Sequence, residues 1–166
     1  SMIVEFGDVY GVQVVQGWGM TEMSPLGTTG TLKPVHLTLS KDAQYDVMAR
    51  QGRSIFGVDM KIVSEDGVDL PWDGVATGDL MVRGPWVIDS YFKQEGESPL
   101  VNGWFPTGDV AKIGTDGVMQ ITDRSKDVIK SGGEWIGSID LENVAMGHPA
   151  VAVAACIGVA HPKWDE

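Results

Sequence analysis

Three short runs hold the side chains on which chemistry can rest. The first is Gly17-Trp18-Gly19-Met20-Thr21-Glu22. Glycines on either side of an indole let the backbone turn tightly and leave the ring face open to a flat ligand. The Thr21 hydroxyl can hydrogen-bond a phosphate oxygen, and the Glu22 carboxylate can hold a hard cation. The second run is Thr107-Gly108-Asp109, and the third is Asp123-Arg124-Ser125-Lys126-Asp127. Each has a bland reading: Trp18 as core filler, Glu22 and Arg124 as surface charges, Asp109 as a turn former, and 123–127 as a solvated connection. Their fixed order along one chain is what gives them joint weight.

The elements around these runs set where they sit. Residues Ile3 to Tyr10 are expected to finish a helix, punctuated by Gly11, and Val12 to Gln16 to form a strand ending where the glycines begin. A ligand loop at the carboxyl end of a strand is where open α/β sheets place their sites. A loop and short helix are expected over 35–52. Val58 to Val63 alternates in the period of a half-buried strand, followed by an Asp-Gly turn at Glu65-Asp66-Gly67. Leu80 to Pro85 reads as a strand, Trp86 to Phe92 as a short helix, and Trp104-Phe105 as a short strand. A hairpin over 109–113 and 118–122 turns at Thr115-Asp116-Gly117. A second, small hairpin surrounds Gly132-Gly133. Ser138 reads as the N-cap of a helix carrying Leu141, Val144 and Ala145, which Gly147-His148-Pro149 stops. Val151 to Gly158 reads as a buried strand with Cys156 as a buried thiol. The expected fold is mixed α/β.

Composition narrows the class of function. The chain has 166 residues, 43% hydrophobic and 21% charged, with 22 glycines, which favours turns and β structure over a helical bundle. A net charge of -11 argues against nucleic acid or an anionic membrane as partner. One cysteine rules out an internal disulfide and suits a reducing cytoplasm. No run approaches the ~20 apolar residues of a membrane helix. The histidines, His36, His148 and His161, lack metal-ligand spacing and read as loop residues.

Taken together, the motifs resemble the adenylate-forming superfamily, and within it the medium- and long-chain fatty acyl-CoA synthetases. Trp18 to Glu22 matches its aromatic-Gly-x-Thr-Glu pattern, Thr107 to Asp109 its Thr-Gly-Asp, and Asp123 to Lys130 with Gly132-Gly133 its Asp-Arg-x-Lys-Asp-x-Ile-Lys stretch. The wording Gly-Gly-Glu-Trp-Ile over 132–136, read with Ile139 to Asn143, points the same way. The family joins a carboxylate to ATP as an acyl-adenylate, then passes the acyl group to the thiol of CoA.

The resemblance implies a role for each residue. Trp18 would stack on adenine, with Gly17 and Gly19 granting the approach. Thr21 would hydrogen-bond the α-phosphate, and Glu22 would hold Mg²⁺. Asp109 would accept from both ribose hydroxyls, and Arg124 would contact the same ribose or phosphate region. Lys126 would be the hinge on which a C-terminal lid swings between two poses. Lys130, Gly132, Gly133 and Trp135 would belong to the lid loop facing the thiol-transfer tunnel, although a plain hairpin explains these four equally well. Gly27-Thr28-Thr29-Gly30 looks like a phosphate loop but follows the first motif rather than preceding it, so an ordinary loop is expected. The implied organisation is the end of a large domain over 3–34, a β-rich, barrel-like subdomain over 35–123 and the start of a lid over 124–166. The family's upstream phosphate loop and the lid's terminal lysine are not in the chain. The alternative is a non-catalytic nucleotide-binding or interaction module, and exposed sheet edges at Val12 to Val15 and Val151 to Ile157 are expected to pair with another chain.

Overall fold

The computed structural model describes residues 2–93, 95–132 and 134–163. Its centre is a four-stranded antiparallel sheet, in the order β4 (Asp59–Val63), β5 (Gly78–Arg83), β6 (Phe105–Ile113), β7 (Met119–Arg124). The strands bury Met60, Ile62, Leu80, Val82, Phe105, Ala111, Ile113 and Met119 in one cluster, because alternate positions of each strand face the same side. The β6–β7 hairpin turns through 114–117 as the Asp-Gly signal predicts, with Gly117 at φ +80°.

A smaller sheet, β1 (Gly17–Gly19), β2 (Leu26–Thr29) and β3 (Arg53–Ser54), stands beside it. The Met119 N–H donates to the Gly52 carbonyl at 2.7 Å, which stitches the two sheets together at β7. Helices α1 (Met2–Tyr10) and α2 (Lys41–Met48) lie at the N-terminal side, where Asp8 is engaged by Lys41 and Tyr45. Beyond β7, β8 (Ile129–Ser131) and β9 (Glu134–Ile136) form the expected small hairpin, followed by α3 (Ser138–Met146). The mixed α/β class is borne out.

Several local expectations give way. Val12 to Gln16 is not a strand; the ladder runs over Gly17–Gly19 instead. Its partner β2 ends at Thr29, the Gly30 N–H still bonds the Gln16 carbonyl at 2.8 Å, and among the described residues no ladder continues along 12–15. Gly27 to Gly30 is not an ordinary loop, since Leu26–Thr29 is the middle strand of the small sheet. Trp86 to Phe92 forms turns, not a helix. The Ile88 N–H donates to the Glu22 carbonyl at 2.9 Å and is lost to any helical ladder. Val151 to Gly158 pairs with no strand, and Val153 is 82% exposed. Cys156 is half-buried, its backbone N–H donating to Glu142 Oε1 at 2.9 Å. His36 is a buried residue, not a loose loop histidine: Nδ1 accepts from the Lys33 N–H at 3.1 Å, so Nε2 carries the proton and donates to Asp116 Oδ2 at 3.0 Å.

Candidate functional site: an aspartate between an indole and a guanidinium

Asp109 lies on β6 directly opposite Arg124 on β7. This register is set by the hairpin, and it places Arg124 Nη1 2.8 Å from Asp109 Oδ1. Thr107 Oγ1 accepts the Asp109 N–H at 3.1 Å and donates to the Leu80 carbonyl at 2.9 Å, pinning the bend before the carboxylate. Gly108 bends at φ +74° with open space where a side chain would stand, so the glycine serves the backbone angle alone.

The third member arrives from ninety-one residues upstream. Trp18 Nε1 donates to Asp109 Oδ2 at 3.0 Å. One ring edge lies against Gly27, where a Cβ would fall 2.7 Å from the indole and 2.5 Å from Met23. Gly27 is thus the residue that lets the indole seat. Gly19 is needed for a different neighbour: a Cβ there would stand 1.9 Å from the Pro25 carbonyl oxygen. Gly17 is roomier, its nearest side-chain neighbour being Leu26 at 3.5 Å.

Asp109 is only 4% exposed. Burial pushes its carboxyl above the ordinary carboxylate range, while the Trp18 N–H and the Arg124 charge pull it back down without cancelling the effect. Arg124 is mostly exposed and well screened, which limits what it offsets. A carboxylate kept at some cost in a lined recess is the pattern of a binding or reacting group. Gly108, Arg124, Ser125 and Lys126 line an open cleft of about 450 Å³ beside it. Each carboxylate oxygen thus faces one of these two donors, Oδ2 the indole and Oδ1 the guanidinium.

Glu22 is held separately. It sits in the single 3₁₀ turn Thr21–Met23, with Met23 buried against the main core beneath it. The Tyr91 hydroxyl donates to Glu22 Oε1 at 2.9 Å, and this contact raises the phenol's pKa above its ordinary value. Thr21, next to it, is exposed. Tyr91 escaped sequence reading because it falls in the segment read as a helix, sixty-nine positions from its partner. No group of three or more His, Cys, Asp or Glu among the described residues is arranged to hold a metal. A single carboxylate still suits Mg²⁺, which is bound through one or two carboxylates plus substrate phosphates.

Of the remaining predicted residues, Lys126 lines the same cleft as Arg124, whereas Lys130 and Trp135 belong to the β8–β9 hairpin beyond it. Lys126 is highly exposed, 3.9 Å from Asp127. Lys130 is ion-paired with Glu65 and lies 4.8 Å above the ring of Trp135, its cross-strand partner in the β8–β9 hairpin. Gly132 takes φ +60° in the hairpin turn. Gly133 falls outside the described residues.

Comparison with known proteins finds relatives for the whole chain. The family model described as AMP-binding enzyme matches residues 1–92. The chain is 58% identical over its whole length to the 3-methylmercaptopropionyl-CoA ligase of Ruegeria pomeroyi and 52% to the medium-chain-fatty-acid–CoA ligase of Ectopseudomonas oleovorans. It spans only 31% and 30% of those two proteins. The o-succinylbenzoate–CoA synthetase of Bacillus subtilis, solved with its acyl-adenylate intermediate, superposes with a TM-score of 0.74 at 33% identity, over 98% of this chain and 31% of that one. The same synthetase has been solved with ATP and magnesium ion, at a TM-score of 0.74, 32% identity, and 97% and 32% coverage.

Proposed function

We propose, from a chain that belongs to the AMP-binding enzyme family, that these residues form the nucleotide-handling part of an ATP-dependent acyl-CoA ligase. A carboxylate attacks the α-phosphorus of ATP to give acyl-AMP and pyrophosphate, and the CoA thiolate then displaces AMP from the acyl carbon. The observation that carries this reading is the meeting of three sequence-distant motifs at one carboxylate, Trp18 and Arg124 on the two oxygens of Asp109.

In this reading Asp109 accepts the two ribose hydroxyls with its remaining lone pairs, and Arg124 closes the ribose side. The indole of Trp18 gives adenine a flat face whose angle the Asp109 hydrogen bond fixes. Thr21, exposed beside the turn, donates to the α-phosphate. Mg²⁺ held by Glu22 would supply neutralising charge to the phosphates, and the Tyr91 contact leaves Oε2 of that carboxylate for it. Lys126, exposed between sheet and hairpin, is the hinge. Lys130, Gly132, Gly133 and Trp135 ride on the segment beyond it and meet CoA after it turns. The carboxylate substrate is a fatty acid or other carboxylate, a reading supported by the names of the two ligases at 58% and 52% identity. A cytoplasmic setting is supported by the single, unpaired cysteine. Self-association through Val12 and Val15, both about half exposed, follows from their lacking a covering strand.

Calorimetric titration with ATP–Mg²⁺ and with a non-hydrolysable fatty acyl-adenylate analogue tests the reading. The analogue is expected to bind more tightly than ATP, and Asp109→Ala to abolish both heats. Equal, weak heats in wild type and variant would remove Asp109 from nucleotide binding.

A further inference from the structure

Asp123 is the buried carboxylate of the third motif, and the nucleotide reading leaves it without a task. It is 2% exposed, at the end of β7 next to Arg124. Its Oδ1 accepts the Arg124 N–H at 2.7 Å, and its Oδ2 accepts the Ser138 N–H at 2.6 Å. Ser138 is the first residue of α3, whose N-cap is Gly137, so the Ser138 hydroxyl is not the cap that its sequence position suggests. The capping carboxylate comes instead from the sheet, fifteen residues back. A negative charge at a helix N-terminus is stabilised both by the free N–H groups and by the peptide dipoles. Gly137 makes the approach possible: a Cβ there would lie 3.0 Å from the Thr122 carbonyl oxygen.

The two amides that share this carboxylate stand on opposite sides of Lys126. Arg124, on the near side, holds Asp109. Ser138, on the far side, opens the helix of the C-terminal segment. We propose that Asp123 is a positioning residue that latches this segment to the nucleotide-binding strand, so that turning about 125–127 requires the Ser138 N–H to leave the carboxylate. The inference rests on the hinge reading of Lys126. A latch of this kind makes segment pose and occupancy at Asp109 reciprocal: what moves Arg124 shifts the helix, and what frees the helix relaxes Arg124.

Amide exchange and ¹⁵N relaxation on the whole chain test it. In Asp123→Ala, Ser138 is expected to exchange about two- to thirty-fold faster, the range that loss of a helix cap gives. The amides of 129–146 are expected to tumble independently of the sheet, while Leu80, Val110 and Ala111 keep their protection. Unchanged Ser138 exchange overturns the proposal, as does fraying confined to 138–140 with the rest of the segment still moving with the sheet. Should the alanine variant lose the sheet as well, Asp123→Asn decides. It keeps shape and one acceptor but not the charge, and faster Ser138 exchange with the sheet intact upholds the latch, whereas wild-type exchange rejects it. A mobile boundary found away from 125–127 would retire the hinge and keep the latch.

Discussion

The β4–β7 sheet and the flanking stretches 11–16 and 151–160 are both rich in branched apolar residues, yet they end differently. In the sheet, Ile62, Leu80, Val82, Val110 and Ile113 are fully shielded. In the flanks, Val12, Val15, Val153, Ile157 and Val159 face outwards. The two regions share an apolar pattern and differ in pairing. Each sheet strand finds a neighbour with a matching row of N–H and C=O groups, and among the described residues neither flank enters a strand ladder. Apolar sequence gives a stretch the capacity to be a strand; only a backbone partner makes it one. Asp109 and Arg124 follow the first region, because hairpin register alone brings them together.

That contrast can be broken at its strongest point first. Met23 is fully buried between the Glu22 turn and the main core. Met23→Ala is expected to lower unfolding free energy by about 2–5 kcal/mol in urea titration. Val153→Ser, on the exposed flank, should stay within about 0.5 kcal/mol of wild type. Similar losses at both positions would mean the flank is packed in solution.

Gly19→Ala comes next, because its methyl would fall on the Pro25 carbonyl. A loss of about 1–3 kcal/mol is expected, with Gly17→Ala costing clearly less since a methyl there meets Leu26 only at an ordinary 3.5 Å contact. Equal costs at the two glycines would assign both to loop flexibility.

Asp109 sharpens the comparison through pH. Its folded pKa is raised, chiefly by burial. The native state therefore holds more protons than the unfolded chain between the unfolded value of 3.8 and the raised one, and stability falls as pH rises through that window. Wild type minus Asp109→Asn stability, followed by urea unfolding from pH 3 to 8, should decline over this interval. A difference that grows with pH would mean that Arg124 and Trp18 outweigh burial.

The smallest effect concerns Tyr91. Its phenol is held above the ordinary value by Glu22, so in Glu22→Gln its spectrophotometric titration should move back down. No movement would separate Tyr91 from Glu22 in solution.

Sequence made much of this legible, for physical reasons that differ by element. The β6–β7 hairpin was readable because alternation and an Asp-Gly turn act over a few residues, and it carries the Asp109–Arg124 pairing with it. The Trp18–Asp109 bond was not readable from local chemistry, since it spans the small sheet and the main one, and the sequence motifs give the two residues separate tasks. The turns over 85–92 were hidden because the Ile88 amide is claimed by Glu22, a contact no local propensity encodes. The cap on α3 was misplaced for the same reason: Ser138 looks like a cap, but Asp123 reaches it from the sheet.

The central claim is that Asp109, braced by Trp18 and Arg124, is the nucleotide-binding carboxylate. The indole N–H resonance of Trp18 in a ¹⁵N-labelled chain reports on that brace directly. On titration with AMP it is expected to shift and saturate, and in Asp109→Asn to start at a different position and stay still. A Trp18 indole signal indifferent to AMP in the wild-type chain, or one moving equally in the variant, would contradict the account.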